Sequence, residues 1–288
     1  MISKEEIQII ASEKNLSTLV IEKDYILGWL LSGIDHCPNI NSSWIFKGGT
    51  CLKKCYFDNY RFSEDLDYSY IGDNLTKDQL SSDFYKILFS KISKWIYEQS
   101  GVFFPEEGIK FEVFKNKRGS TSVQGSLAYR GPIQPHLNIK NLPRIKVDLT
   151  LDEPLILPIQ RKKVFHDYSD NLQSGIFSHC YCYEELFAEK LRALIQRLRP
   201  RDLYDVVHLF QKHTEEHPIK TLKTTLEKKC TLRSVAFPTM KVINEHQNWR
   251  YLESEWSTQL THQVPSLLPF HDFMQLLPAL LTWIETLD

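Results

Sequence analysis

The stretch WIFKGGTCLKKCYFDNYRFSEDLDYSY, residues 44–70, limits the fold more than any other part of the chain. It opens on a short apolar run, residues 44–46, which reads as a strand. The run ends at Gly48 and Gly49, where two glycines permit a tight turn. CLKKCYF then has the make-up to open a helix. YRFSEDLDYSYIG alternates aromatic with polar residues, the period of a second strand. Strand, glycine turn, helix and strand in such quick succession require a sheet with a helix laid against it.

The flanking sequence extends that sheet and then abandons it. Residues 3–11 and 19–34 mix apolar and charged positions at helical spacing. Residues 76–98 are expected as a helix with Leu80, Phe84, Ile87, Leu88, Ile92 and Trp95 on one face. Residues 110–130 alternate as strands do. IKVDLTLDE at 145–153 is a further strand, with Val147, Leu149 and Leu151 on one face and Lys146, Asp148 and Thr150 on the other. From Tyr183 onward the pattern is helical, with Phe187, Leu191, Leu194, Ile195 and Leu198 as the apolar stripe. Pro200 breaks that helix, and DLYDVVHLF restarts it with Asp202 as the expected N-cap. Trp249, Trp256 and Trp283 are expected packing anchors. The fold class is α+β: a mixed sheet with flanking helices over residues 1–170, then a mostly helical domain over 171–288.

Bulk chemistry narrows the function. A formal net charge of -1 supplies no global attraction to nucleic acid or to a membrane surface, so any polyanion-binding face must come from local Lys and Arg. Two such clusters exist: Lys190, Arg192, Arg197, Arg199 and Arg201, and Arg161–Lys163 written as RKK. Each suits either a solvated surface or a triphosphate or RNA backbone. No apolar stretch has the length of a membrane span. The N-terminus is not a secretory signal, so a cytoplasmic protein is expected. The six cysteines form no C-x-x-C pair. His179, Cys180 and Cys182 invite a metal reading, but no second pair matches them, and free thiols are expected. Among the ten histidines none stands at a catalytic spacing from Cys or Ser, and His208 is expected to pack.

The chemistry concentrates in FSEDLD, residues 62–67. On a strand, Asp65 and Asp67 project from one face, with Leu66 on the other. Adjacent carboxylates repel unless a cation sits between them. Magnesium takes oxygen ligands, commonly one or two carboxylates plus substrate phosphates. A solvated strand end explains an isolated D-x-D equally well. Two features weigh against that account. KGGT offers backbone N–H groups, the Thr50 hydroxyl and nearby Lys47, Lys53 or Lys54 to a phosphate. Asp148 lies on a later strand, and pairing of that strand beside the first would converge three carboxylates, enough to hold two metal ions.

FKGGTCLKKCY followed by RFSEDLDYS resembles the first motif of the polymerase β-like nucleotidyltransferases. More closely, the pattern resembles the AbiEii-type nucleotidyltransferase toxins of type IV toxin–antitoxin systems. IKVDL is similar to their second motif, EELFAEKLRAL to their third and RPRDLYDV to their fourth. The resemblance implies a polymerase β-like core followed by the helical domain. It implies that Gly48, Gly49, Thr50, Lys146 and Lys190 bind the nucleotide, and that Asp65, Asp67 and Asp148 bind Mg²⁺ or Mn²⁺. Asp202 would complete the site, with Asp205 as the alternative acid of that motif. Glu184, Glu185 and Glu189 are expected only to charge the first turns of their helix.

The implied activity is transfer of a nucleoside monophosphate from an NTP to an acceptor hydroxyl, with tRNA 3′ ends as acceptor and a block on translation as outcome. A cognate antitoxin would act without a stable complex, and the chain would be a monomer. A small-molecule or protein acceptor, and a non-catalytic nucleotide- or RNA-binding module of the same fold, are the other readings.

Overall fold

The computed structural model describes residues 1–72, 76, 78–116, 119–213 and 219–287. The chain divides into two compact units, Met1–Pro154 with Ile159–Cys180, and Leu155–Pro158 with Tyr181–Asp288.

The first unit opens with two helices, α1 (Lys4–Glu13) and α2 (Thr18–Asp35), each started by a serine whose side chain accepts from a backbone N–H. β1 (Trp44–Lys47) runs directly into a single helical turn, α3 (Gly48–Cys51), which continues as a π-helical turn over Leu52–Tyr56. β2 (Asp65–Tyr70) follows, then α4 (Ser82–Ser100), β3 (Ile109–Lys115), β4 (Thr121–Ala128), β5 (Arg144–Thr150), β6 (Gln160–Lys163) and β7 (Phe177–Cys180). All seven strands form one mixed sheet in the order β3-β4-β5-β2-β1-β7-β6. β2 lies at its centre, antiparallel to β1 and parallel to β5.

Strand alternation sorts the central residues onto two faces. Phe46, Leu66, Tyr68, Val147 and Leu149 are buried on one. Lys47, Asp65, Asp67, Lys146 and Asp148 take the other. The predicted helix over 76–98 begins at Ser82, capped by Ser81, and ends at Gly101 with φ of 75°. Residue 77 of that expectation lies outside the described residues, as do 117 and 118 of the strand pair and 214–218 of the helical half. The buried face of α4 matches the predicted one at Leu88 and Ile92 only. Tyr85, Leu88, Phe89, Ile92 and Ile96 face the core, whereas Leu80 and Ile87 are exposed. Trp95 instead stacks on His36, centroids 4.2 Å apart. The aromatic rings of Tyr85 and Phe89 meet Phe111 of β3 and so set the helix rotation.

The second unit is helical. α5 (Tyr183–Arg197) buries Phe187, Leu191, Leu194 and Ile195 as its spacing predicts. α6 (Pro200–Lys212) starts with proline at its first position. α7 (Leu222–Leu232), α8 (Met240–Asn244), α9 (Trp249–Ser254), α10 (Trp256–Leu260) and α11 (Phe270–Thr286) complete it. Trp256 packs on Phe270 and Phe273, and Trp283 on Phe187, Phe210 and His213. No helix among the described residues is long and apolar enough to cross a membrane.

Candidate active site

The parallel pairing of β2 with β5 sets Asp67 opposite Asp148 and Asp65 opposite Lys146. Partners in register share a face, so the pairing joins the three acids into one patch. The row continues on both sides: Lys47 of β1 lies opposite Asp67, and Gln124 of β4 opposite Asp148. The Gln124 amide donates to Asp148 Oδ1 at 3.0 Å. Lys47 is paired with Glu153 at 2.8 Å.

Charge is crowded here. Burial first, then the carboxylates of Asp148 and Glu64, push the Asp65 carboxyl above its ordinary value, against the opposing pull of Lys146 and Lys23. A divalent cation would relieve that crowding, and a set of hard oxygen donors suits a small, hard ion such as Mg²⁺ or Mn²⁺. The three aspartates do not draw their oxygens within 4.8 Å of one another. Among the described residues, the trio of metal-ligand atoms that does gather so closely is Cys51, Cys55 and Cys180.

The glycine turn lies against this row. Gly48 has φ of +81°, and a Cβ there would come 2.3 Å from Asp67 Oδ2. At Gly49 a Cβ would come 2.8 Å from Arg61 Nη2. Gly48 therefore needs glycine for conformation and for space, whereas at Gly49 the end of the Arg61 side chain is what would have to move. Thr50 is buried, and its hydroxyl donates to the backbone oxygen of Asp65 at 2.5 Å. That bond ties the turn to the acid strand, a bracing task that was not foreseen. Lys53 and Lys54, expected near a phosphate, are engaged elsewhere. Lys53 donates to the backbone and side chain of Asp58, and Lys54 is buried with Asp24 at 2.6 Å. Burial alone would raise the Asp24 carboxyl, but the charges of Lys54 and Lys53 hold it below its ordinary value.

The third and fourth motifs belong to the second unit. There Lys190 is nearly buried, its ammonium 2.7 Å from Asp205 Oδ2. The solvated-surface reading of its cluster therefore does not describe Lys190. Asp202 is not the N-cap of α6, which is Arg199. It sits inside the first turn, buried, and accepts a two-pronged pair of bonds from Arg197, both at 2.7 Å. Glu185 does more than charge a helix start. It is fully buried, accepts from the N–H groups of Ile156 and Leu157 and pairs with Lys229 at 2.6 Å. Glu184 accepts from the N–H of Thr221.

Three residues at the acid row were missed: Arg61, Gln124 and Glu153. Arg61 stood inside the quoted R-F-S-E-D run. Gln124 and Glu153 carry no local mark, because only strand pairing and chain return bring them to the row.

A mixed sheet with a glycine turn opening from one strand, and acids on the adjacent strand and on that strand's parallel partner, defines a nucleotidyltransferase-type core. The model of the family described as "Nucleotidyl transferase AbiEii toxin, Type IV TA system" matches residues 29–279. The chain belongs to that family of nucleotidyltransferase toxins. In structure it is similar to MenT4, a nucleotidyltransferase toxin from Mycobacterium tuberculosis H37Rv, with a TM-score of 0.63 and 17% sequence identity over 100% of this chain and 91% of that one. No curated protein matches the chain in sequence.

Proposed function

We propose that the chain moves a nucleoside monophosphate from an NTP onto the 3′-terminal hydroxyl of tRNA, releasing pyrophosphate and blocking translation in the cytoplasm. The observation that carries this reading is the register of β2 on β5, which sets Asp67 beside Asp148 with Gly48 against the Asp67 carboxylate. The acceptor oxygen attacks the α-phosphorus, the bond to the β-phosphate breaks, and pyrophosphate departs. Asp65, Asp67 and Asp148 are the residues that would hold Mg²⁺ or Mn²⁺, which when bound lowers the pKa of the attacking hydroxyl and neutralises the triphosphate.

The chain's own groups position the rest. The Gly48–Cys51 turn presents backbone N–H groups for phosphate oxygens, and Thr50 holds that turn at a fixed distance from Asp65. Gln124 fixes the orientation of the Asp148 carboxylate. Lys146, exposed beside Asp65 in register, is a cation for the nucleotide. Lys190 is assigned to the triphosphate, and Asp202 or Asp205 to its support, on their places in the third and fourth motifs. tRNA follows the family's usual acceptor, and the exposed Arg161 and Lys163 of β6 offer charge for an RNA backbone.

The test is a transfer assay with Mg²⁺, each labelled NTP in turn and total tRNA, with Asp67→Asn alongside. Label on tRNA from the native chain only is the expected result, and it names the nucleotide. Transfer by Asp67→Asn at the native rate would remove the acid row from the chemistry. Mg²⁺-dependent NTP binding without transfer to tRNA would discard the acceptor and move the search to small molecules and proteins.

A further inference from the structure

Three of the six cysteines gather behind the glycine turn. Cys51 ends the Gly48–Cys51 turn, Cys55 lies on the π-helical turn that follows it, and Cys180 is the last residue of β7. β7 runs parallel to β1, with Cys180 opposite Phe46, so both strands finish at the same edge. The trio is buried, at 0%, 2% and 0% exposure. Its ligand atoms all lie within 4.8 Å of one another, and no disulfide joins them.

Three thiols in a dry core serve equally as small apolar side chains. Two observations favour more. First, the three sulfurs reach one point from two separate stretches of chain, the turns over Gly48–Tyr56 and the end of β7, and hydrogen-bond to one another there. Hydrogen bonds from Cys51 and Cys55 pull the Cys180 thiol well below its usual range, while burial pushes Cys51 up and the bond to Cys180 pushes Cys55 up. Second, a cation already compensates the cluster: Lys162, whose ammonium sits 4.2 Å over the Tyr56 ring, favours the charged form at both Cys55 and Cys180.

We propose that Cys51, Cys55 and Cys180 form a three-coordinate thiolate site for a soft, monovalent metal ion of the Cu(I) type. Soft sulfur ligands select Cu(I) or Zn²⁺. Zn²⁺ takes four ligands in structural sites. Among the described residues no fourth His, Cys, Asp or Glu atom joins the group, and the three sulfurs are buried. Binding releases the remaining thiol protons and joins the glycine turn to β7. The site is made of residues outside the acid row, so its standing does not depend on the transferase reading.

The test titrates the reduced, full-length chain with Cu(I) under anaerobic, thiol-free conditions against the chromophoric chelator bicinchoninate. The expected result is one equivalent of Cu(I) withdrawn per chain, a raised Tm, and at least a tenfold weaker competition by Cys55→Ala and Cys180→Ser. Cys37→Ser and Cys230→Ser keep full binding. X-ray absorption on the loaded native chain reads the ligand count without any variant, and three sulfurs are expected. Failure of the native chain to compete, undiminished binding in Cys55→Ala and Cys180→Ser, a count of two sulfurs or fewer, or uptake of Zn²⁺ in preference to Cu(I) would each overturn the assignment.

Discussion

The buried acids of the helical unit and the half-buried acid row of the sheet unit are treated in opposite ways, although Asp24 of the sheet unit, paired with Lys54 at 2.6 Å, follows the helical pattern. In the helical unit each has its own cation: Glu185 has Lys229 at 2.6 Å, Asp205 has Lys190 at 2.7 Å and Asp202 has Arg197 at 2.7 Å. In the sheet unit Asp65 is pushed above its ordinary pKa by burial and by its acidic neighbours, and Asp148 is steadied by a neutral amide. The first arrangement serves the fold. The second keeps negative charge in a place where a substrate-borne cation would satisfy it. Removing an acid should therefore cost stability in one unit and activity in the other.

The comparison breaks first, if it breaks, at Asp67. Asp67→Asn is expected to lower transfer at least about 10³-fold with little change in Tm. Melting and the tRNA assay on one preparation read both quantities, and a large fall in Tm would place Asp67 with the structural acids. The next largest effect belongs to the helical unit. Lys229→Ala leaves Glu185 without its cation, and we expect a loss of about 3–5 kcal/mol in denaturant unfolding. Lys190→Ala sharpens the contrast, because its proposed task and its observed partner differ. Its ammonium is held by the fully buried Asp205, so stability falls together with NTP use, and comparison with Lys190→Arg separates the two.

Asp65 gives a smaller effect of opposite sign. Its folded pKa lies above the unfolded value, so the native state holds the extra proton. Stability falls as pH rises from about 3.8 through the carboxylate range. Asp65→Asn should flatten that slope and raise Tm by roughly a few degrees while transfer falls. A pH series of melting curves checks it, and a lower Tm for the variant would contradict the crowding. The smallest change expected is Thr50→Val, about 1 kcal/mol from its bond to Asp65, read by chemical unfolding.

Much of this was legible in the chain. The glycine turn, the D-x-D strand and the IKVDL strand carry their chemistry in consecutive letters, and local periodicity places each on the right face. Pairing partners were less so. Nothing near Asp202 says that Arg197 will claim it, or that Glu185 will be buried beneath two backbone N–H groups. The face of α4 was misread because Leu80, Phe84 and Ile87 are as apolar as the residues that face the core. Rings from the sheet, Phe111 of β3 and Trp44 of β1, decide the rotation. The cysteines at 51, 55 and 180 are separated by most of the sheet's length of chain, and β1–β7 pairing unites them.

The parallel partnership of β2 and β5 also sets a timetable. Asp148 is translated about eighty residues after Asp67, and the β7 strand beside the glycine turn later still. At about 5–20 residues per second, the ribosome holds the chain for several seconds with one of the three acids of its row unmade. Until Asp148 emerges, the growing chain therefore carries Asp65 and Asp67 without the strand that completes their row.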